Sequence, residues 1–366
     1  MSNIEVKMIT QTPLCTGDAF SESHNLKPQS LLGSLRFWLE VICYAAGELD
    51  INCKNEVKQS TFFSKVNEIL ERQEISLPEA KKEALKELAI SIPSQLFGCN
   101  GWEGFVRIKE IDFCNKQIEL PCVIYKEKEK QDGWKEEYPV IKNGIKKCPG
   151  NIDKEKEHAW YFPDPCLFGE AKIKLELTDK KVGQDIIFPL LNFIQKYGFV
   201  GGKNNLGFGR VKFDLENTNL SEFNQFSFYN KTVKIDDIIK EKKFDDLINY
   251  DLVKEGKIGF CNFGPYKFQK GRSLKEKYLQ IIKTLLAKKS KLRGECKGDN
   301  KKYNKKSIIL HSEKRHFVFG STVRDKYKKI EGPNATKLIP WINHVENDEY
   351  EYGFISLILL EKFPRG

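Results

Sequence analysis

The segment Asp185–Leu215, DIIFPLLNFIQKYGFVGGKNNLGFGRVKFDL, decides how the chain is organised. Its first part spaces apolar residues as a helix does, and its last residues alternate as a strand does. Between them, Tyr197–Arg210 holds five glycines with two asparagines, a lysine and an arginine. A dinucleotide-binding loop runs from strand into helix; this one runs from helix into strand, so no helix N-terminus faces a pyrophosphate. A G-x-x-x-x-G-K-[ST] phosphate loop also fails: with Gly202 and Lys203 as its GK pair, Tyr197 stands for the first glycine and Asn204 for the hydroxyl. KYGFVGG resembles the RNP1 motif of RNA-recognition domains only superficially, because Gly202 replaces a stacking aromatic and the segment is not on an inner strand. Two readings remain. Gly201, Gly202, Gly207 and Gly209 let a sugar–phosphate backbone approach, with Lys203 and Arg210 for phosphates and Asn204 and Asn205 for bases or 2′-hydroxyls. Otherwise the loop is a turn packed on a sheet, with its polar residues in solvent.

Upstream, IEVKMIT (4–10) reads as a first strand ended by the turn residues QTPLCTGD (11–18). QSLLGSLRFWLEVICYAAG (29–47) places Leu31, Leu32, Leu35, Leu39, Ile42, Cys43 and Ala46 at helical spacing, with Ser30 as cap and Gly47 as stop. LPEAKKEALKELAISIP (77–93) is a second, more polar helix, read as an insertion. FVRIKEIDF (105–113) and AKIKLELT (171–178) are strands flanking a polar excursion, 127–164. With the helix and strand of 185–215 the order is strand, helix, strand, strand, helix, strand, the split βαβ pattern of ferredoxin-like domains. After a polar connector the pattern restarts: GKIGFCNF (256–263) as strand, SLKEKYLQIIKTLLAKKS (273–290) as helix, then RHFVFGSTVR (315–324) and YEYGFISLILLE (350–361) as strands. An apolar-Phe-Gly turn recurs in QLFGCNGW and FVFGSTVR. The expected fold is α+β, two ferredoxin-like βαββαβ domains over 1–215 and 216–366, the second divergent or abbreviated.

Composition fits a soluble, cytoplasmic protein. The 366 residues are 40% hydrophobic and 12% aromatic, enough for a core, and 61 Lys+Arg against 51 Asp+Glu give a formal charge of +10. A basic surplus suits a polyanionic partner. No basic-then-apolar signal peptide opens the chain, and the apolar run FISLILL is too short to span a membrane. The ten cysteines include no CxxC pair, and Cys148, His158 and Cys166 are only loosely spaced, so neither metal nor cofactor is expected.

Other residues carry candidate chemistry. Arg36 lies off the Leu31/Leu35/Leu39 stripe, free to meet a phosphate or base, or else to pair with Glu40. Phe37 and Trp38 read as packing residues, and Asp18 as a turn cap. The run 286–306, LAKKSKLRGECKGDNKKYNKK, offers Lys288, Lys289, Lys291 and Arg293 as an arm along RNA phosphates, or as a solvated charge run. His24, in the polar loop SESHNLKP, is the candidate general acid/base.

TPLCTGD, LLGSLRFWLE, QLFGCNGW and VGGKNNLGFGRV together resemble the CRISPR-associated RAMP superfamily and, within it, the subunit-one family of the type III-B Cmr effector complex. The resemblance is close over the first half. It implies two ferredoxin-like domains around a basic cleft, and a noncatalytic subunit that joins guide (CRISPR) RNA, target RNA and sister Cmr proteins, with target cleavage left to other subunits. The alternatives are a metal-independent guide-processing endoribonuclease using His24, and a purely structural subunit.

Overall fold

The computed structural model describes residues 2–16, 25–49, 53–126, 134–137, 140–142, 145–147, 157–160, 162, 166–216, 218–229, 231–296, 310, 312–320, 336–345 and 348–362. The first half is built on four strands, β1 (Ser2–Thr10), β2 (Val106–Ile118), β3 (Cys166–Leu177) and β4 (Val211–Asp214). They form one antiparallel sheet in the order β2-β3-β1-β4, the order a split βαβ connection gives. Period-two alternation sets its two faces. Val6, Met8, Ala171, Ile173, Leu175, Val211 and Phe213 point into the core, while Glu5, Lys172, Lys174, Lys212 and Asp214 stand on the solvent face.

Helix α1 (Pro28–Ala46) buries Leu31, Leu35, Trp38, Leu39 and Ile42 against this sheet, starts with proline in its first turn, and stops at Gly47, whose φ of 74° only glycine adopts without strain. The inserted helices are α2 (Gln59–Arg72), α3 (Leu77–Glu87) and α4 (Ile92–Phe97). A capping box of Ser76 and Glu79 opens α3. The helix read from DIIFPLLNFIQKY is two pieces: a π-helical turn, Gly183–Ile187, then α5, Phe188–Tyr197. The excursion 127–164 contains short strands at 134–137, 140–142, 145–147 and 157–160.

In the second half a hairpin, β5 (Gln225–Phe228) with β6 (Lys231–Lys234), precedes a sheet made of β7 (Ile239–Glu241), β8 (Ile258–Lys267), β9 (Leu338–His344) and β10 (Glu349–Ser356) in the order β7-β8-β10-β9. The long helix α6 (Leu274–Glu295), opened by a Ser273/Glu276 capping box, follows β8. No second βα unit closes this sheet among the described residues. The edge beside β8 is β7, which comes before β8 in the chain and runs parallel to it. RHFVFGSTVR was expected as a strand; residues Ser312–Phe319 are instead a helix, α7. Its Val318 and Phe319 are buried in the same core as α6, tertiary packing that overrides the strand propensity of aromatic and β-branched residues. The Phe-Gly echo is structural: α4 and α7 both end in Phe followed by a glycine of positive φ, Gly98 at 86° and Gly320 at 81°.

The two halves share their cores. Phe260, Ile339, Trp341 and Ile355 join the core under the first sheet, while Leu206 and Phe208 of the glycine loop enter the core beneath α6.

Candidate nucleic-acid interface

The four sequence motifs meet in one knot. Thr12 Oγ1 donates to the Gly207 carbonyl (2.8 Å) and accepts from the Arg210 backbone N–H (3.0 Å). Gly209 N–H donates to Pro13 O (2.8 Å), and Gly202 N–H to Cys15 O (2.7 Å). From α1, Ser34 Oγ accepts from Gly201 N–H (2.9 Å), and the Trp38 indole N–H donates to Phe199 O (2.8 Å). The TPLCT segment and the loop therefore satisfy each other's backbone groups, the requirement for burying irregular chain.

This packing reassigns several residues expected to contact RNA. A Cβ on Gly201 would lie 2.4 Å from Cys15 O, and one on Gly209 2.0 Å from Val200 O, both at positive φ. Gly207 is buried too, facing Ile282 and Pro340. These three glycines admit protein backbone. Gly202 differs: it is exposed, and its nearest neighbour to a Cβ is 3.7 Å away.

Arg210, expected to meet phosphates, is wholly buried (0% exposed). Its guanidinium donates to the carbonyls of Ile194 (2.9 Å), Gln195 (2.6 Å), Lys196 (3.1 Å), Gly198 and Ile342 (3.3 Å). It sits 5.5 Å from the Phe199 ring centroid and 5.3 Å from that of Trp341. A cation there satisfies the orphan carbonyls at the α5 C-terminus and complements its dipole. Burial pulls its pKa down to about 9, which leaves it charged at neutral pH. It has no surface to offer a ligand.

Arg36 is also engaged: Nε donates to Glu40 (2.9 Å), one terminal nitrogen to Gly98 O (2.5 Å) and the other to Ser94 Oγ (2.9 Å). The i,i+4 pair is the one its spacing allowed, and the other two bonds tie α1 to the LFG turn. His24, with Gly17 and Asp18, lies outside the described residues.

What stands at the surface is the loop tip. Gly202, Lys203 and Asn205 are exposed and Asn204 half-buried. Lys203 has φ of 60°, the left-handed region, uncommon for a residue with a Cβ.

The basic run begins on α6 rather than as a free arm; residues 297–306 lie outside the described set. Tyr278 on α6 donates its hydroxyl to Leu206 O (2.7 Å), and Ile282 touches the Gly207 position. Lys289 and Arg293 follow Ile282 by seven and eleven residues, on the same helical face and about 10 and 16 Å along the axis. Lys288 and Lys291 leave that face: Lys288 lies 4.6 Å over the Phe263 ring, and Lys291 is near Glu295 (4.0 Å). Burial, then Arg293, pulls the half-buried Lys289 down to about 7. Burial and then Arg315 lower Arg293. Arg315, on α7, thus joins the cluster; the sequence reading had that segment as a strand and missed it. Neighbouring cations that depress one another form a place where an anion is welcome.

Among the described residues, no helix is long and apolar enough to cross a membrane, and no three His, Cys, Asp or Glu side chains gather as metal ligands would.

A two-layered α+β half, with its last helix entering its last strand through a buried glycine loop, defines the class. Residues 7–212 match the model of the RAMP superfamily, and the chain belongs to that superfamily. Among solved structures it is similar to Cmr1 from Pyrococcus furiosus in its apo form, at 12% identity over 98% of this chain and 88% of that one, TM-score 0.39. A chain of a type III-B Cmr-beta complex bound to cognate target RNA and AMPPnP, in the presence of single-stranded DNA, shares 12% identity over 96% and 93%, TM-score 0.37. One of a type IV-B CRISPR complex shares 14% over 63% and 96%, TM-score 0.31. No curated protein matches the chain.

Proposed function

We propose that the chain is a noncatalytic RNA-binding subunit of a type III-B CRISPR ribonucleoprotein, holding guide RNA near its 3′ region, target RNA, or both, beside sister Cmr subunits. The observation that carries the reading is the exposed loop tip, Gly202, Lys203 and Asn205, whose following residues Leu206 and Gly207 pack on α6, the helix that bears Lys289 and Arg293. A strand could run from one to the other, its phosphates meeting cations and its bases meeting the asparagines.

The open face of the first sheet, where RNA-recognition domains stack bases, is a poor rival. Its residues mix both signs across the register, Asp112, Lys172, Lys7 and Asp214 in one row and Glu110, Lys174 and Glu5 in another, with Lys7 paired to Glu170 (2.7 Å) and Lys174 to Glu110 (2.7 Å). Such a face is close to neutral and offers little to a polyanion. Binding at the loop and α6 should be mostly electrostatic, with sequence choice left to base pairing.

The test is fluorescence anisotropy of a labelled single-stranded RNA titrated with the full chain in EDTA, with each endpoint run on a denaturing gel. Saturable binding with intact RNA is expected. Discrete cleavage products lost in His24→Ala would make the protein an endoribonuclease. Affinity no better than that of a polycation of equal charge would make it a purely structural subunit.

A further inference from the structure

A cavity of about 420 Å³ opens at the other end of α5, between the π-helical turn, α4 and the β5–β6 hairpin. The ten-residue α5 separates it from the glycine loop by about 15 Å. Its floor is apolar, with Leu96, Phe105, Ile186 and Phe228, and its polar groups converge from three elements: Asp185, Ser227, Lys181 and Tyr229. This size and composition suit a small-molecule site.

Two backbone irregularities line the same cavity. Tyr229, at the hairpin turn, has φ of 30°, a rare conformation for a bulky side chain. The residue is 51% exposed, and its hydroxyl donates to Oε1 of the buried Gln95. Gln95 is itself fixed, donating from Nε2 to Ile90 O (2.6 Å). Opposite, the π-helical turn inserts an extra residue ahead of α5 and brings Asp185 and Ile186 into the wall. Strained tyrosines and π-turns concentrate where a ligand binds.

The rim is nearly charge-balanced. Lys82 is held by Asp179 (2.5 Å), and Lys86 is near Glu83 (3.8 Å) and 5.6 Å over the Tyr229 ring. The occupant should therefore be a mostly neutral, flat group with hydrogen-bonding edges and a single anionic appendage. We infer that the cavity is a nucleotide site, with the base against the Tyr229 ring, its edge on Asp185 and Ser227, and its phosphate on Lys181. The carboxylate accepts from a base amino or ring N–H, the serine hydroxyl donates or accepts, and the tyrosine ring stacks. The nucleotide is either free or one base of a bound strand.

Equilibrium dialysis of the full chain against AMP, CMP, GMP and UMP, with adenosine and inorganic phosphate alongside, tests this. At least one nucleotide should bind saturably at one site, more tightly than its nucleoside, with phosphate alone failing to saturate. Tyr229→Gly, which removes the ring and relieves the positive φ, should weaken binding by about tenfold or more while the protein stays folded. Ser227→Phe should fill the cavity and abolish binding. Lys203→Gly, on the glycine loop, should leave it unchanged, so failure here and failure of the RNA reading are read separately. Displacement of the nucleotide by single-stranded RNA would identify the ligand as a base of a strand; no displacement would identify it as free nucleotide. Absence of saturable binding by all four nucleotides, or equal binding by Tyr229→Gly and Ser227→Phe, would overturn the inference.

Discussion

Arg210 and Trp341, from opposite halves of the chain, lie face to ring at 5.3 Å, and both reach the same carbonyl: Arg210 donates to Lys196 O at 3.1 Å and the Trp341 indole N–H at 2.8 Å. The end of α5 is the bolt that joins the two halves. Arg210→Met should cost on the order of 3 kcal/mol, because several buried carbonyls lose their donor at once. Urea denaturation checks this. RNA affinity should fall only in proportion to the unfolded fraction.

Lys203 separates fold from function. Its φ of 60° is a strained conformation that glycine relieves. Lys203→Gly should therefore stabilise the fold by about 1 kcal/mol while removing a phosphate contact. In a salt series the slope of log affinity against log salt should become shallower by about 0.7 to 1. A destabilised variant, or an unchanged slope, would contradict the loop's assignment.

The glycines should divide in the same way. Gly209→Ala drives a methyl onto Val200 O and should cost at least about 2 kcal/mol, with Gly201→Ala similar against Cys15 O. Gly202→Ala has room, and its stability should stay within about 0.5 kcal/mol of the parent. Thermal melts of the three variants report this directly.

Lys289 gives a pH signature. Its folded pKa, about 7, lies below the unfolded value of about 10.4. A base lowered by folding is most costly when charged, so its penalty is full below pH 7 and fades as pH rises from 7 toward 10. Lys289→Met should raise the melting temperature at pH 6 and have a smaller effect at pH 9.5. An equal gain at both would mean that the lysine titrates normally.

Much of the first half was legible because its signals are local and redundant. The helical stripe of Leu31, Leu35 and Leu39, the alternation of AKIKLELT, and the helix-to-strand direction of the glycine loop each point one way, and the sheet order agrees with them. The second half was harder. Strand β7 closes its sheet from an unexpected place in the chain, a pairing that no periodicity reveals, and Arg315 entered the basic cluster only once its segment proved helical. The loop's glycines and Arg210 were read as facing a sugar–phosphate backbone, with a packed turn as the alternative, but Gly201, Gly207, Gly209 and Arg210 face neighbouring protein, which sequence does not show. The opposed faces of Lys289 and Lys291 were readable from helical spacing, had the helix read over 273–290 been carried on to Glu295.

The most direct test of the central claim is photocrosslinking of a 4-thiouridine-substituted single-stranded RNA to the full chain, with crosslinked peptides identified by mass spectrometry. Crosslinks in the peptides carrying Gly202–Asn205 and Lys289–Arg293 are expected. Crosslinks confined to the sheet face, at Lys172, Lys174 and Lys212, would contradict the account and place RNA where opposite charges offset one another.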